Sequence, residues 1–317
     1  MKTKLGEAAL LCGSLLLVLS VVELVVRVSG LADPRPTGYA PVNTKRKDMR
    51  PTNVNGYRDI ERVIPKPAGV RRILSLGDSF AWGASVEYDD TYAQRIERTL
   101  ARRGEPWQVV QLALPGMATV DQASQLLDEG FNYGPEVVLL GFVLNDSEDQ
   151  NAAEKRRAQD WVEEKKQRRA RNGFLNHSAL YRLVSGRLRA TSETRRRVEA
   201  YRSQFRDDYP GWIACRQALR TMGAACRERG VPFVVVIFPL FGNALDDSYP
   251  FAEIHQKVSA AATGAGARVV DLLPVYRGLR WDILVVDGAD DEHPNEVAHR
   301  IAANAILPVL DEVLRKP

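Results

Sequence analysis

The sequence predicts an α/β protein built on a parallel sheet with helices on both faces. Three observations predict it. Apolar runs alternate with segments of helical spacing from about residue 70 to 314. The apolar runs are continuous, as strands buried on both faces must be, and do not alternate polar with apolar. Gly or Pro closes run after run, as in "SLG", "LPG" and "IFP". A chain of 317 residues, 45% hydrophobic and 26% charged, can bury a core of this kind.

The elements follow in order. "RRILSLG" (71–77) is a short apolar run ending in Gly, the first strand. "TYAQRIERTLARRG" (91–104) has helical periodicity and a Gly stop. "WQVVQLAL" (107–114) is the second strand, closed by Pro115 and Gly116, and "TVDQASQLLDEG" (119–130) a helix with a polar start. "PEVVLLGFV" (135–143) is the third and most apolar strand. A charged segment, 147–210, interrupts the alternation; Trp161, Phe174, Leu180, Leu183 and Tyr201 recur in it at helical spacing, which predicts inserted helices. The alternation then resumes with a helix at 212–230, a strand "VPFVVVIFP" (231–239), a helix at 250–266, a fifth strand "RVVDLL" (268–273) and a last helix from about Pro294 to Leu314. No internal repeat of solenoid type is present.

The N-terminus carries a separate signal. Lys2 and Lys4 precede about 21 mostly apolar residues, enough for one bilayer crossing. Glu23 and Arg27 sit near the far end, where long side chains reach the interface. A cleaved signal peptide is the alternative, since "GLA" (30–32) is weakly of the small-residue cleavage type. The run is long for a signal core, which favours an uncleaved anchor with the bulk of the chain outside the cytoplasm, although Arg27 and Arg35 oppose Lys2 and Lys4 in setting orientation. Residues 30–68, rich in Pro, Asn, Gly and charge, read as a tether, with "NGYRD" (55–59) as a turn that docks on the domain. The expected plan is an anchor or signal at 1–29, a linker at 30–69 and a globular α/β domain at 70–317 with its insertion at about 147–210.

In parallel sheets ligands bind beyond the carboxyl ends of the strands. Ser79, Gly116, Asn145 and His293 all fall just past predicted strand ends or in late loops. Serine needs a base to become a nucleophile, and the base must come within about 2.6–3.2 Å. His293 is preceded at three residues by Asp290, close enough to accept an imidazole N–H and fix its tautomer. Asp287 and Asp291 are near enough to be confused with Asp290, while His177, His255 and His299 lack this setting. An acyl-transfer site also needs oxyanion donors. The Ser79 N–H, the unshielded Gly116 N–H and the Asn145 amide are of the right kind. Singly, each has an ordinary explanation: a turn hydroxyl, a turn glycine, a capping Asn, a polar residue at a helix start.

Together and in this order, the residues resemble the SGNH or GDSL-type hydrolases. "GDSF" with Ser79 matches the first block, with Phe in place of the common Leu; Gly116 matches the second, Asn145 in "ND" the third, and Asp290 with His293 in "DDEHPN" the last. Val143 stands where the family has Gly two residues before the Asn, which puts the loop shape there in doubt. The resemblance covers about residues 70–314. It implies a flavodoxin-like three-layer α/β/α sandwich; with the five strands and the N-terminal apolar run read above, the expectation is a five-stranded parallel sheet in a membrane-anchored member of the family. It implies catalysis by Ser79, His293 and Asp290 on acyl esters, with no metal and no cofactor. The α/β-hydrolase elbow G-x-S-x-G is not met, because Ala81 ends "GDSFA".

Three functions stay open on these residues: a serine esterase, an O-acyltransferase modifying a cell-surface polysaccharide, and a non-catalytic glycan-binding or assembly protein. The formal charge of +4 does not argue for nucleic acid, and no nucleic-acid motif is present. Residues 151–208 hold 16 Lys/Arg against 8 Asp/Glu, so the rest of the chain is net acidic; the segment reads as a lid, a grip on anionic polymer or lipid, or a solvated helical face. The partners expected are an acyl ester, as part of a glycan or lipid, and the membrane. Three cysteines at these spacings suit neither a disulfide framework nor a zinc site.

Overall fold

A computed structural model describes residues 2–32, 51–147, 177–287 and 291–314. The chain divides into two units, Met1–Gly38 with Asn151–Glu199, and Tyr39–Gln150 with Ala200–Pro317.

The second unit is built on the sheet. Its strands are β1 (Arg71–Gly77), β2 (Trp107–Gln111), β3 (Val137–Phe142), β4 (Phe233–Ile237) and β5 (Arg268–Asp271). They form one five-stranded sheet in the order β2-β1-β3-β4-β5, every neighbouring pair parallel. This is the α/β architecture the alternating pattern predicts. β3 and β4 are buried along their whole length, which is why their sequences read as unbroken apolar runs. β2 ends before the predicted Leu114, yet the chain keeps bonding to β1: Leu112 N–H donates to the Ser75 carbonyl and Leu114 N–H to that of Gly77. Pro115 then ends the pairing.

The crossovers place helices on both faces. Tyr92–Arg102 packs against Glu296–Leu314. Thr119–Asp128 packs against Pro210–Glu228, which packs against Ala252–Gly264. Each helix buries the stripe its periodicity announces: Tyr92, Ile96 and Leu100 in the first, Ala298, Ala302, Ile306 and Leu310 in the last. Cys215 and Cys226 are free thiols among the buried residues of the helix Pro210–Glu228, and burial pushes both up to about 12. They are packing groups, too protonated to act as nucleophiles.

Three features lie outside the simple alternation. The "NGYRD" turn does dock: Arg58 and Asp59 are almost fully buried, and the Tyr57 hydroxyl donates to Glu129. A short antiparallel pair, β6 (Val285–Asp287) and β7 (Asp291–Pro294), precedes the last helix. That helix begins at Glu296, two residues later than predicted, because Asn295 caps it by accepting the N–H groups of Val297 and Ala298 while Pro294 finishes β7.

In the first unit, Lys2–Ser29 is one helix, and its stretch Leu10–Ser29 is long and apolar enough to cross a membrane. The helix Ala179–Gln204, of which residues up to Glu199 belong to this unit, forms as the charged segment's spacing predicts; residues 148–176 of that segment lie outside the described residues. The Glu23 carboxylate accepts the Ser178 hydroxyl and the Ala179 and Leu180 N–H groups, each at 2.8 Å. It thereby caps the start of the helix Ala179–Gln204.

Candidate active site

β1 lies inside the sheet, between β2 and β3, and ends at Gly77, beside Gly141 of β3. Gly77 has φ +149°, and a Cβ there would fall 2.5 Å from the Ala81 Cβ and 2.8 Å from the Gly141 carbonyl oxygen. Only glycine lets the chain turn this tightly while the next segment presses onto the sheet. That segment is the short helix Ser79–Trp82. Asp78 caps it, accepting the Phe80 N–H on Oδ1 at 2.9 Å. Ser79 thus stands at the first position of a helix, above the carboxyl edge of the sheet.

The Ser79 hydroxyl is met there by an imidazole from the far end of the chain. His293 Nε2 lies 2.9 Å from Ser79 Oγ. β7 carries His293, and Asn295 two residues on fastens β7 in place. Its amide donates to the Ile283 and Val285 carbonyls at 2.9 and 3.0 Å, and its N–H to that of Leu284. Phe80 packs against the imidazole, ring centroids 5.3 Å apart, and is itself flanked by Phe238 and Phe241 of the "FPLF" stretch after β4. This aromatic wall supports one side of the imidazole, and the apolar rings limit water there.

Asn145 comes from the short turn Leu144–Ser147 after β3. Its amide donates to Asp78 Oδ2 at 3.3 Å, the oxygen that also lies 3.4 Å from Ser79 Oγ. Asp78 therefore joins the serine turn to the Asn145 turn. Burial raises the Asp78 carboxyl above its ordinary range; the Phe80 N–H, the Asn145 amide, the His293 charge and the Ser79 hydroxyl act against that rise. The Val143 N–H donates to Asp146 Oδ2 at 3.0 Å, so the departure from Gly at 143 sits in a turn closed by its own side chain. Gly116, φ +80°, lies in the turn two residues past Leu114, which bonds Gly77.

The fold thus brings Ser79, His293 and Asn145 to one place and puts Gly116 in the adjoining strand-end turn. Asp290 lies outside the described residues, as do the side chains of its neighbours Asp287 and Asp291. Among the other histidines, His299 is fully buried and accepts the Tyr92 N–H on Nδ1 at 3.1 Å. His255, which lacks the Asp-x-x-His spacing in sequence, has a carboxylate in the fold: Nδ1 is 2.8 Å from Asp271 Oδ1, because the helix Ala252–Gly264 sets its first turn beside the end of β5. The roles of Asp78, Phe80 and Asn295 were missed. "HPN" just before a helix was a signal for an Asn cap, while Asp78 and Phe80 read only as neighbours of the serine.

The profile of a family described as GDSL-like Lipase/Acylhydrolase matches residues 75–301. No curated protein matches the sequence. Among solved structures the chain is similar to TesA, at 14% identity and TM-score 0.48 over 77% of this chain and 99% of that one. Another is a two-domain esterase active on acetylated mannans, at 12% identity and TM-score 0.47 over 78% of this chain and 50% of that one. A third is a lipase/acylhydrolase from Enterococcus faecalis, at 18% identity and TM-score 0.45 over 76% of this chain and 95% of that one.

Proposed function

The chain belongs to the GDSL-like lipase/acylhydrolase family, and from that premise we propose that it is a serine ester hydrolase acting on acyl esters. The observation that carries the reading is the 2.9 Å approach of His293 Nε2 to Ser79 Oγ across 214 residues of sequence. His293 takes the Ser79 proton as Oγ attacks the ester carbonyl. The Ser79 N–H, the Gly116 N–H and the Asn145 amide receive the oxyanion; loss of one such donor costs about 2.7–4 kcal/mol. His293 then protonates the leaving alcohol, water attacks the acyl-enzyme with His293 as base, and the acid is released. Asp290 is assigned to the other imidazole nitrogen, to hold its tautomer and stabilise the imidazolium.

A panel of short and long p-nitrophenyl esters tests this on the purified full chain. Turnover is expected, with Ser79→Ala abolishing it and Asn145→Ala lowering kcat about 100- to 1000-fold, both variants remaining folded. Undiminished turnover in Ser79→Ala overturns the assignment. If an added alcohol acceptor becomes acylated in preference to water, the same acyl-enzyme serves transfer.

The apolar N-terminal helix is read as a retained anchor holding the catalytic domain outside the cytoplasm. The Glu23 cap supports this: cleavage after residue 29 or 32 would strip the helix Ala179–Gln204 of its N-terminal partner. The protein is expected to stay in the membrane pellet after an alkaline carbonate wash, with an intact mass that includes residues 2–29. A soluble chain starting near Asp33 contradicts the anchor.

A further inference from the structure

The docked "NGYRD" turn lies outside the residues matched by the family profile, 75–301, yet its arginine reaches the backbone that follows the nucleophile. Arg58 is 1% exposed. Its Nη1 donates to the carbonyls of Trp82 at 3.1 Å and Gly83 at 2.6 Å, and its Nη2 donates to that of Val86. The guanidinium also lies 5.3 Å from the centroid of the Trp82 ring. The Trp82 and Gly83 carbonyls are at the C-terminal end of the helix Ser79–Trp82, where no intrahelical N–H remains to satisfy them; Val86 lies three residues past the cap, in the turn that its own N–H closes onto the Gly83 carbonyl at 3.2 Å.

The link to Ser79 is short. The N–H groups of Gly83 and Ala84 both donate to the Ser79 carbonyl at 3.1 Å. Gly83 is left-handed, φ +79°, and a Cβ on it would fall 2.5 Å from Thr91 Cγ2 and 3.1 Å from Arg58 Nη1. So the guanidinium fixes the peptide whose N–H fixes Ser79. A four-residue helix cannot hold its own geometry, since nucleation outweighs so few bonds. Asp59 anchors the turn that delivers Arg58, accepting the Gln111 N–H on Oδ2 at 3.0 Å, and Gln111 Nε2 in turn donates to the Trp82 carbonyl at 3.2 Å.

We propose that Arg58 is a positioning residue for the nucleophile: by gripping three carbonyls behind the helix Ser79–Trp82 it sets the height and direction of the Ser79 hydroxyl toward His293. The inference rests on Ser79 being the nucleophile. It makes the segment before β1 part of the working enzyme as well as a connection to it.

Two variants of the full chain separate this from plain docking. Arg58→Ala removes the grip. Tyr57→Phe loosens the same turn, through Glu129 and Gln125, without touching the nucleophile helix. Arg58→Ala is expected to lower kcat on an activated ester, and the rate of Ser79 labelling by a fluorophosphonate, about 10- to 100-fold, as small misplacements of reacting groups do. KM should move less than about threefold, millimolar guanidinium should restore part of the rate, and the Gly83 and Ala84 amides should exchange faster. Tyr57→Phe should lower the Tm and leave kcat unchanged. Wild-type kcat in folded Arg58→Ala, or equal kcat losses in both variants, overturns the proposal. If Arg58→Ala does not fold, Arg58→Lys, whose single nitrogen cannot stand in for both Nη1 and Nη2, carries the same readouts. If the wild type reacts with neither ester nor phosphonate, the esterase reading is what fails. The grip is then judged by exchange alone, and unchanged exchange at Gly83 and Ala84 in the Arg58 variant refutes it.

Discussion

At the scale of the residue, environment assigns work to the imidazoles that the residue type alone does not. His293 faces a hydroxyl. His299, six residues on, is wholly enclosed, stacked on Tyr92 and bonded to its N–H. Burial first, then the fields of Arg95, Arg58 and His293, push His299 down to about 3. In the unfolded chain the same group titrates near 6.5. Between those values the unfolded state binds a proton that the native state refuses, so stability falls as pH drops from about 6.5 toward 3. The slope is at most about 1.4 kcal/mol per pH unit. Asp78 acts with the opposite sign over the pH range above its unfolded value, because burial lets its native form keep a proton longer. The expectation is therefore differential. Urea midpoints of the wild type should fall between pH 6.5 and 5 more steeply than those of His299→Gln, which retains an acceptor for Tyr92. Parallel curves contradict it.

At the scale of the element, the decisive one is the turn from β1 into the helix Ser79–Trp82. Gly77→Ala should lower stability by about 1–3 kcal/mol, from the positive-φ backbone and overpacking together. It should also depress kcat, since the added methyl can be relieved only by lifting Ala81 and with it Ser79, or by moving Gly141. A Tm and kcat both at wild-type values would show that the turn tolerates a side chain. The long elements were legible in the sequence because each has many residues reporting one period: β1 runs over 71–77 as read, and the helix read at 212–230 is Pro210–Glu228. The short ones were not. The helix Ser79–Trp82 has too few residues to show a period, and β6 and β7 depend on pairing with each other. Of the candidate site, Ser79, Gly116, Asn145 and His293 could be picked out by residue type and place after strands. Asp78 and Phe80 could not, since their role comes from what the fold sets beside them: Asn145 for one, His293, Phe238 and Phe241 for the other.

At the scale of the whole molecule, the candidate centre is assembled from four distant stretches of chain at the carboxyl edge of a single sheet. The interior strands β1 and β3 deliver Ser79 and Asn145, the late β7 delivers His293, and Arg58, from the segment before β1, bonds the backbone that follows the helix Ser79–Trp82. A parallel sheet permits this because every strand ends on the same side. The central claim is that this assembly makes Ser79 a nucleophile with His293 as its base. The most direct measurement is to treat the full chain with a fluorophosphonate, map the adduct by mass spectrometry, and compare labelling rates in wild type and His293→Ala. A single adduct on Ser79, formed at least about 100-fold more slowly without the imidazole, is the expected result. An adduct on another residue, or equal rates in the two proteins, would contradict it.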